Sequence, residues 1–112
     1  SVITVSATTI SDTRGVDGDA IVASGDRARI DIGTTTITTM TGQGIVASGT
    51  DSVVTATDST ITDTGSPAVL VEGTGATVYL DNTDISDVAG TGIVINAPDA
   101  VVQMTNGSTL SD

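Results

Sequence analysis

Residues 31–54 read DIGTTTITTMTGQGIVASGTDSVV, residues 55–78 read TATDSTITDTGSPAVLVEGTGATV, and residues 79–102 read YLDNTDISDVAGTGIVINAPDAVV. Written one above another, these three lines are equal in length and align without a gap. Working outward, residues 4–30 join the same frame with three extra positions between Thr13 and Asp19, and residues 103–112 open a fifth unit with one extra position near Asn106 and Gly107. Three apolar columns then run through the chain: Ile10, Ile37, Ile61, Ile85 and Leu110; Ile21, Ile45, Val69 and Ile93; Ile3, Ile30, Val54, Val78 and Val102. Self-similarity at a fixed period in this range marks a solenoid, in which each unit buries its apolar face against its neighbours.

The units are made of strands. Val5, Ile32, Ala56, Leu80 and Met104 follow the third column two residues on, and Ala23, Ala47, Val71 and Ile95 follow the second likewise. That alternation of period two is what a strand with one buried face requires. In the central unit the strands are expected near 53–57, 60–62 and 68–72, separated by Asp58 and Ser59, by Gly65, Ser66 and Pro67, and by Gly73, Thr74 and Gly75. Such clusters of Gly, Asp, Ser and Pro turn the chain by supplying positive φ and local side-chain bonds to the backbone. Three strands and three corners per repeat predict an all-β, right-handed, three-sided parallel β-helix of about 4.5 coils, forming a single segment over 1–112. Capping units are not evident at either end, which implies a segment of a longer solenoid or ends completed by other chains.

Composition narrows the function. The 112 residues contain no Cys, His, Trp, Phe or Lys, and Tyr79 is the only aromatic residue. Arg14, Arg27 and Arg29 stand against 14 acidic residues for a net charge of -11. Thiolate and imidazole metal sites and Cys or His nucleophiles cannot be assembled from such a chain. Phosphate backbones would repel it, and there is no aromatic platform for stacking bases, so nucleic acid is not an expected partner. Apolar runs of three or four residues are far short of a membrane span. High charge with few aromatics also suits disorder. Ile and Val numbering 25, with 22 Thr, argue instead for strands, where β-branched side chains are comfortable.

The stretch GIVASGTDSVVTATDSTITDTG, residues 44–65, resembles the passenger domains of Gram-negative autotransporters of the pertactin-like kind, and the likeness extends over nearly the whole chain. The resemblance implies a parallel β-helix exported to the bacterial cell surface or the extracellular space, a C-terminal translocating barrel outside this chain, and a role in adhesion or host interaction. Passenger strands often carry an outward Tyr where this chain has Val22, Val46, Leu70 and Val94.

Candidate sites are few, and each has a plain structural counterpart. Asp63 and Asp87 are one repeat apart and fall on adjacent coils, with Asp12 in the matching column. Stacked carboxylates can bind a cation or act as an acid–base pair, and an Asp at a corner can equally cap its own turn. Calcium is the one cofactor the residues allow, with Asp17 and Asp19 in the inserted loop and Asp63 and Asp87 as candidate ligands, although no Gly-Gly-x-Gly-x-Asp repeat is present. The loop Arg14 to Asp19 breaks the repeat and is a candidate binding feature through Arg14 and Asp17. Val22, Val46, Leu70 and Val94 would form an outward aliphatic ribbon able to pack on a protein partner or host receptor. Thr34, Thr35, Thr36, Thr38, Thr39 and Thr41, with Thr60 and Thr62, would form hydroxyl ladders on a solvated flank, a surface for sugar or ice only in the absence of anything better. Finally, Val2, Ile3 and Val5 occupy the same columns as Val101, Val102 and Met104, so one chain could stack on the next. The expected function is a non-catalytic structural or adhesive stalk. The alternatives are a self-assembling filament subunit and a polysaccharide-binding or -cleaving β-helix.

Overall fold

The computed structural model describes residues 2–6, 9–11, 21–39, 41–65 and 67–111. These residues form fourteen strands, numbered β1 to β14 along the chain, and no helix. The strands sort by position in the repeat into three parallel sheets. Sheet A holds β1 (Val2–Ser6), β4 (Arg29–Gly33), β7 (Val53–Thr57), β10 (Thr77–Asp81) and β13 (Val101–Thr105). Sheet B holds β2 (Thr9–Ser11), β5 (Thr36–Thr38), β8 (Thr60–Thr64), β11 (Asp84–Val88) and β14 (Thr109–Leu110). Sheet C holds β3 (Ile21–Ala23), β6 (Ile45–Ala47), β9 (Val69–Val71) and β12 (Ile93–Ile95). Each strand bonds to its counterpart one coil away, which makes the chain a three-sided parallel β-solenoid of about four turns.

The register carries the sequence period directly. Ile30 pairs with Val54, Val54 with Val78, and Val78 with Val102, always one full repeat on. Ile21 pairs with Ile45 at that same spacing, whereas Thr9 pairs with Thr36, three positions further than a repeat, so the extra positions lie between β2 and β3. Asp81 pairs with Thr105 at the repeat and Asp84 with Thr109 one position beyond it, which puts the single extra residue between β13 and β14.

Alternation then fills the prism. Ile37, Ile61 and Ile85 from sheet B meet Ile30, Val54 and Val78 with Ile32, Ala56 and Leu80 from sheet A, and Ile21, Ile45 and Val69 from sheet C, in one buried cluster. Aromatic bulk is not needed, because β-branched side chains at a strand spacing of about 4.8 Å already fill the axis when each stacks on its like.

The corners show why turn residues recur at the same spacing. Arg27, Asp51, Gly75 and Asp99 form one column of positive φ, Thr34, Asp58, Asn82 and Asn106 a second, and Thr39, Asp63 and Asp87 a third. One left-handed residue per corner, joined by Gly107 beside Asn106 in the last coil, turns the strand through the edge of the prism, and Asp, Asn and Gly tolerate that conformation best. At the corner from sheet C to sheet A, Ala28, Ser52 and Ala76 donate their N–H to the carbonyls of Gly25, Gly49 and Gly73 at 3.0–3.2 Å. A positive φ at the third position of these turns is the type II geometry, which also favours the proline found at the second position as Pro98. The ladder continues through the corners: Asp51 N–H donates to Thr74 O at 2.9 Å and Asp58 N–H to Asp81 O at 3.0 Å. Corner backbone groups are thereby satisfied along the axis.

Thr34 and Thr39 are β-branched residues held at φ 47° and 59°. A left-handed conformation costs such residues about 1–2 kcal/mol, from crowding of Cβ against the following carbonyl. Thr34→Asn combined with Thr39→Asn, which introduces a residue at ease in that region, is expected to raise unfolding free energy by about 1–2 kcal/mol. Urea unfolding followed by circular dichroism checks it; a fall in midpoint would show that these threonines do not turn the corners.

Candidate functional site

Three kinds of side-chain file run along the outside and corners of the prism, and the sequence candidates fall among them. The loop with Arg14, Asp17 and Asp19 lies outside the described residues, as does Asp12.

Asp63 and Asp87 lie one residue before the ends of β8 and β11, at the side of sheet B that leads to sheet C, on adjacent coils, exposed and with φ of 53° and 52°. Asp87 accepts a hydrogen bond from Thr62 Oγ1 at 3.3 Å, and Ser86 Oγ donates to the same Thr62 oxygen at 3.1 Å. Their positions are those of corner-turning residues, and among the described residues no three of His, Cys, Asp and Glu converge on a common point. Arg27 stands at the corner from sheet C to sheet A, and Arg29 lies on sheet A with its Nε 3.5 Å from Asp31 Oδ1. The described arginines are thus placed away from the stacked Asp63 and Asp87.

A second file, of carboxylates bonded to amides and a hydroxyl, follows the corner from sheet A to sheet B. Asn82 Nδ2 donates to Asp58 Oδ1 at 2.7 Å, Asn106 Nδ2 to Asp81 Oδ1 at 2.7 Å, and Thr109 Oγ1 to Asp84 Oδ1 at 2.8 Å. Each of these bonds ties one coil to the next. Acidic side chains that would repel if simply stacked are here spaced by amides and hydroxyls that donate to them.

The aliphatic file Val22, Val46, Leu70 and Val94 exists as ladder neighbours, but it is not the continuous exposed ribbon expected from alternation. Val22 is 46 % exposed, whereas Val46 is only 6 % exposed while standing outside the core cluster, and Leu70 and Val94 are half-buried. Side chains one strand spacing apart cover part of one another, yet Leu70, flanked in the same way by Val46 and Val94, stays half-buried, so flanking alone does not account for Val46.

The threonine stretch also divides differently from the expected solvated flank. Thr36, Thr38, Thr60 and Thr62 do lie in register on the outer side of sheet B. Thr34 and Thr39 are corner residues, and Thr35 is buried. Thr35 heads an inward hydroxyl file with Ser59, Thr83 and Ser108 that sequence reading missed. Thr35 Oγ1 donates to Gly33 O at 2.9 Å and Ser59 Oγ to Thr57 O at 2.9 Å. Thr83 Oγ1 reaches Ala56 O and Asp81 O, both at 3.1 Å, and Ser108 Oγ reaches Leu80 O at 2.9 Å. Ser59 Oγ also receives the Thr35 N–H at 3.2 Å, and Ser108 Oγ that of Thr83 at 3.0 Å. These hydroxyls satisfy strand-end groups where the sheet ladder is interrupted, and no buried side-chain polar atom among the described residues lacks a partner.

At the far end of the prism, Val101, Val102 and Met104 lie on β13, and Val2, Ile3 and Val5 lie on β1 at the opposite edge of the same sheet. Tyr79 lies on the outer side of sheet A, exposed. No described helix is long and apolar enough to cross a membrane. No protein-family model, no curated protein and no solved structure matches the chain.

Proposed function

We propose that this chain is a rigid spacer: a non-catalytic β-solenoid segment of an exported bacterial surface protein that holds an adhesive or effector part away from the cell. The observation supporting this reading is the unbroken one-repeat register of all three sheets from β3 to β13, with coils cross-tied on the outside by Asn82–Asp58 and Asn106–Asp81. A structure in which every coil repeats the last resists bending and can be lengthened without redesign. The likeness to pertactin-like passenger domains belongs to the proposal and rests on the phrase at residues 44–65. Location at the cell surface is part of it too.

Binding of the fluorescently labelled chain to cultured host cells and to immobilised matrix proteins tests the spacer reading. A passive spacer gives no saturable binding. Saturable binding, lost when the loop at 14–19 is shortened or when Val22→Asp is introduced, would replace the spacer with an adhesin.

A further inference from the structure

We propose that Asn106 is a site of spontaneous deamidation, and that its conversion to an acid cuts a side-chain tie between two coils. This proposal is independent of the surface-protein reading.

The reaction requires the backbone nitrogen of the following residue to reach the Cγ of the asparagine, and a following residue without a Cβ hinders that approach least. Asn82, Asn96 and Asn106 are the asparagines of the chain, and of these Asn106 alone precedes a glycine. The Gly107 nitrogen gives up its proton and bonds to Asn106 Cγ, while the bond from Cγ to Nδ2 breaks and that nitrogen leaves as ammonia. Water then opens the cyclic imide at either carbonyl. Opening at Cγ restores the main chain and leaves an ordinary aspartate; opening at the main-chain carbonyl leaves Gly107 joined through Cγ, an isoaspartate. The sum is an amide and water becoming an acid and ammonia, with no change of oxidation state.

The fold separates Asn106 from Asn82, its equivalent one coil earlier. Asn82 is followed by Thr83, which is buried, donates its N–H to Ser108 Oγ at 3.0 Å and bonds through its hydroxyl to Ala56 O and Asp81 O. Asn106 is followed instead by the extra residue of its coil: Thr105 pairs with Asp81 at the repeat and Thr109 with Asp84 one position beyond it, so Gly107 has no counterpart in the coil before. Asn106 and Gly107, at φ 52° and 85°, are the central pair of a type I′ turn closed by the Ser108 N–H on Thr105 O at 3.2 Å. Bringing the Gly107 nitrogen to Cγ opens that turn bond first. At Asn82 the same rotation opens the Thr83 N–H bond and draws on a buried side chain held by two more bonds. Asn96 precedes Ala97, whose Cβ crowds the approach.

The consequence falls on the file of carboxylates and amides. Asn106 Nδ2 donates to Asp81 Oδ1 on the preceding coil at 2.7 Å. The acid has no donor to offer, so a tie becomes two carboxylates facing each other, and a charge-changing modification beside an aspartate acts by repulsion. The isoaspartate form also adds an atom to the backbone just ahead of β14, where the strand must meet Asp84 and Ile85 in register.

Timed incubation of the 112-residue chain in mildly alkaline buffer, followed by peptide mapping with mass spectrometry and by enzymatic methylation of isoaspartate, tests the reaction. The expected result is acid at position 106 in both isomers while Asn82 and Asn96 are still amides, and a slower conversion once Gly107 is deleted, which puts Ser108 directly after Asn106. Acid appearing at Asn82 or Asn96 as early as at Asn106 overturns the proposal, and that comparison uses the parent chain, so it stands whether or not the deletion folds. Urea unfolding tests the consequence. Asn106→Asp is expected to lower the midpoint, and Asn106→Asp with Asp81→Asn, which moves the donor to the other coil, to return it to that of the parent. An unchanged midpoint in Asn106→Asp, or no recovery in the double variant, overturns the loss of the tie.

Discussion

Gly49→Val is expected to unfold the chain or to lower its unfolding free energy by more than about 3 kcal/mol, the upper part of what overpacking costs. The reason is a close approach of backbone to backbone. A Cβ on Gly49 would fall inside contact distance of the Gly25 carbonyl oxygen, 2.7 Å from the Gly25 carbonyl carbon and 2.9 Å from Ser24 O. None of those atoms belongs to a side chain that could rotate away. The corner cannot shift outward either, because Gly73 stacks on its other side with the same geometry, its own Cβ position lying 2.7 Å from the Gly49 carbonyl carbon. The fourth member of the file is Ala97, and there the turn bond from Ala100 N to Ala97 O lengthens to 3.4 Å. That corner has no described coil beyond it and so has room to move. Gly33 is the control: nothing lies within 4 Å of a Cβ built there and its φ is not in the left-handed region, so Gly33→Ala is expected within about 1 kcal/mol of the parent. Urea midpoints of the two variants give the comparison, and equal midpoints would mean that the coils are not packed corner on corner.

Most of the fold is readable from residues alone because every position is sampled several times. The column of Ile37, Ile61 and Ile85 identifies an inward site even though each isoleucine, alone in its Thr-Ile-Thr or Asp-Ile-Ser context, is ambiguous. Strand β7 falls at the expected residues 53–57, while β8 extends to Thr64 beyond the expected 60–62. The extension skips Asp63, whose left-handed conformation lets the strand resume pairing at Thr64 with Val88. Threonine and serine are the difficult residues. A hydroxyl suits a solvated strand as well as it suits a buried strand end, so Thr35 and Thr36 look alike in sequence while one is buried and the other lies on the outer side. The usable signal is the column Thr35, Ser59, Thr83 and Ser108, always directly after a left-handed residue: Thr34, Asp58, Asn82 and, in the last coil, Gly107. Val46 is unreadable for a different reason: it sits at an outward position of the alternation, between Val22 and Leu70 in the ladder, and is buried nonetheless.

One repeat makes one interchangeable coil, which is what a spacer of adjustable length needs. Deleting residues 55–78 joins Val54 to Tyr79 and puts Leu80 in the place of Ala56, Asn82 in that of Asp58, Thr83 in that of Ser59 and Ile85 in that of Ile61. Every file stays aligned. Deleting only residues 55–66 joins Val54 to Pro67 and puts Leu70 at the left-handed corner of Asp58 and Gly73 in the inward column of Ile61. Every downstream file is then wrong. Unfolding of the two deletion variants by urea, followed by far-ultraviolet circular dichroism, tests interchangeability most directly. The whole-coil deletion is expected to keep a β spectrum and one cooperative transition, less stable by about 1–4 kcal/mol at roughly 0.05–0.15 kcal/mol per residue. The half-coil deletion is expected to show no cooperative transition at all. Equal behaviour of the two variants, or collapse of the whole-coil deletion, would contradict the modular coil.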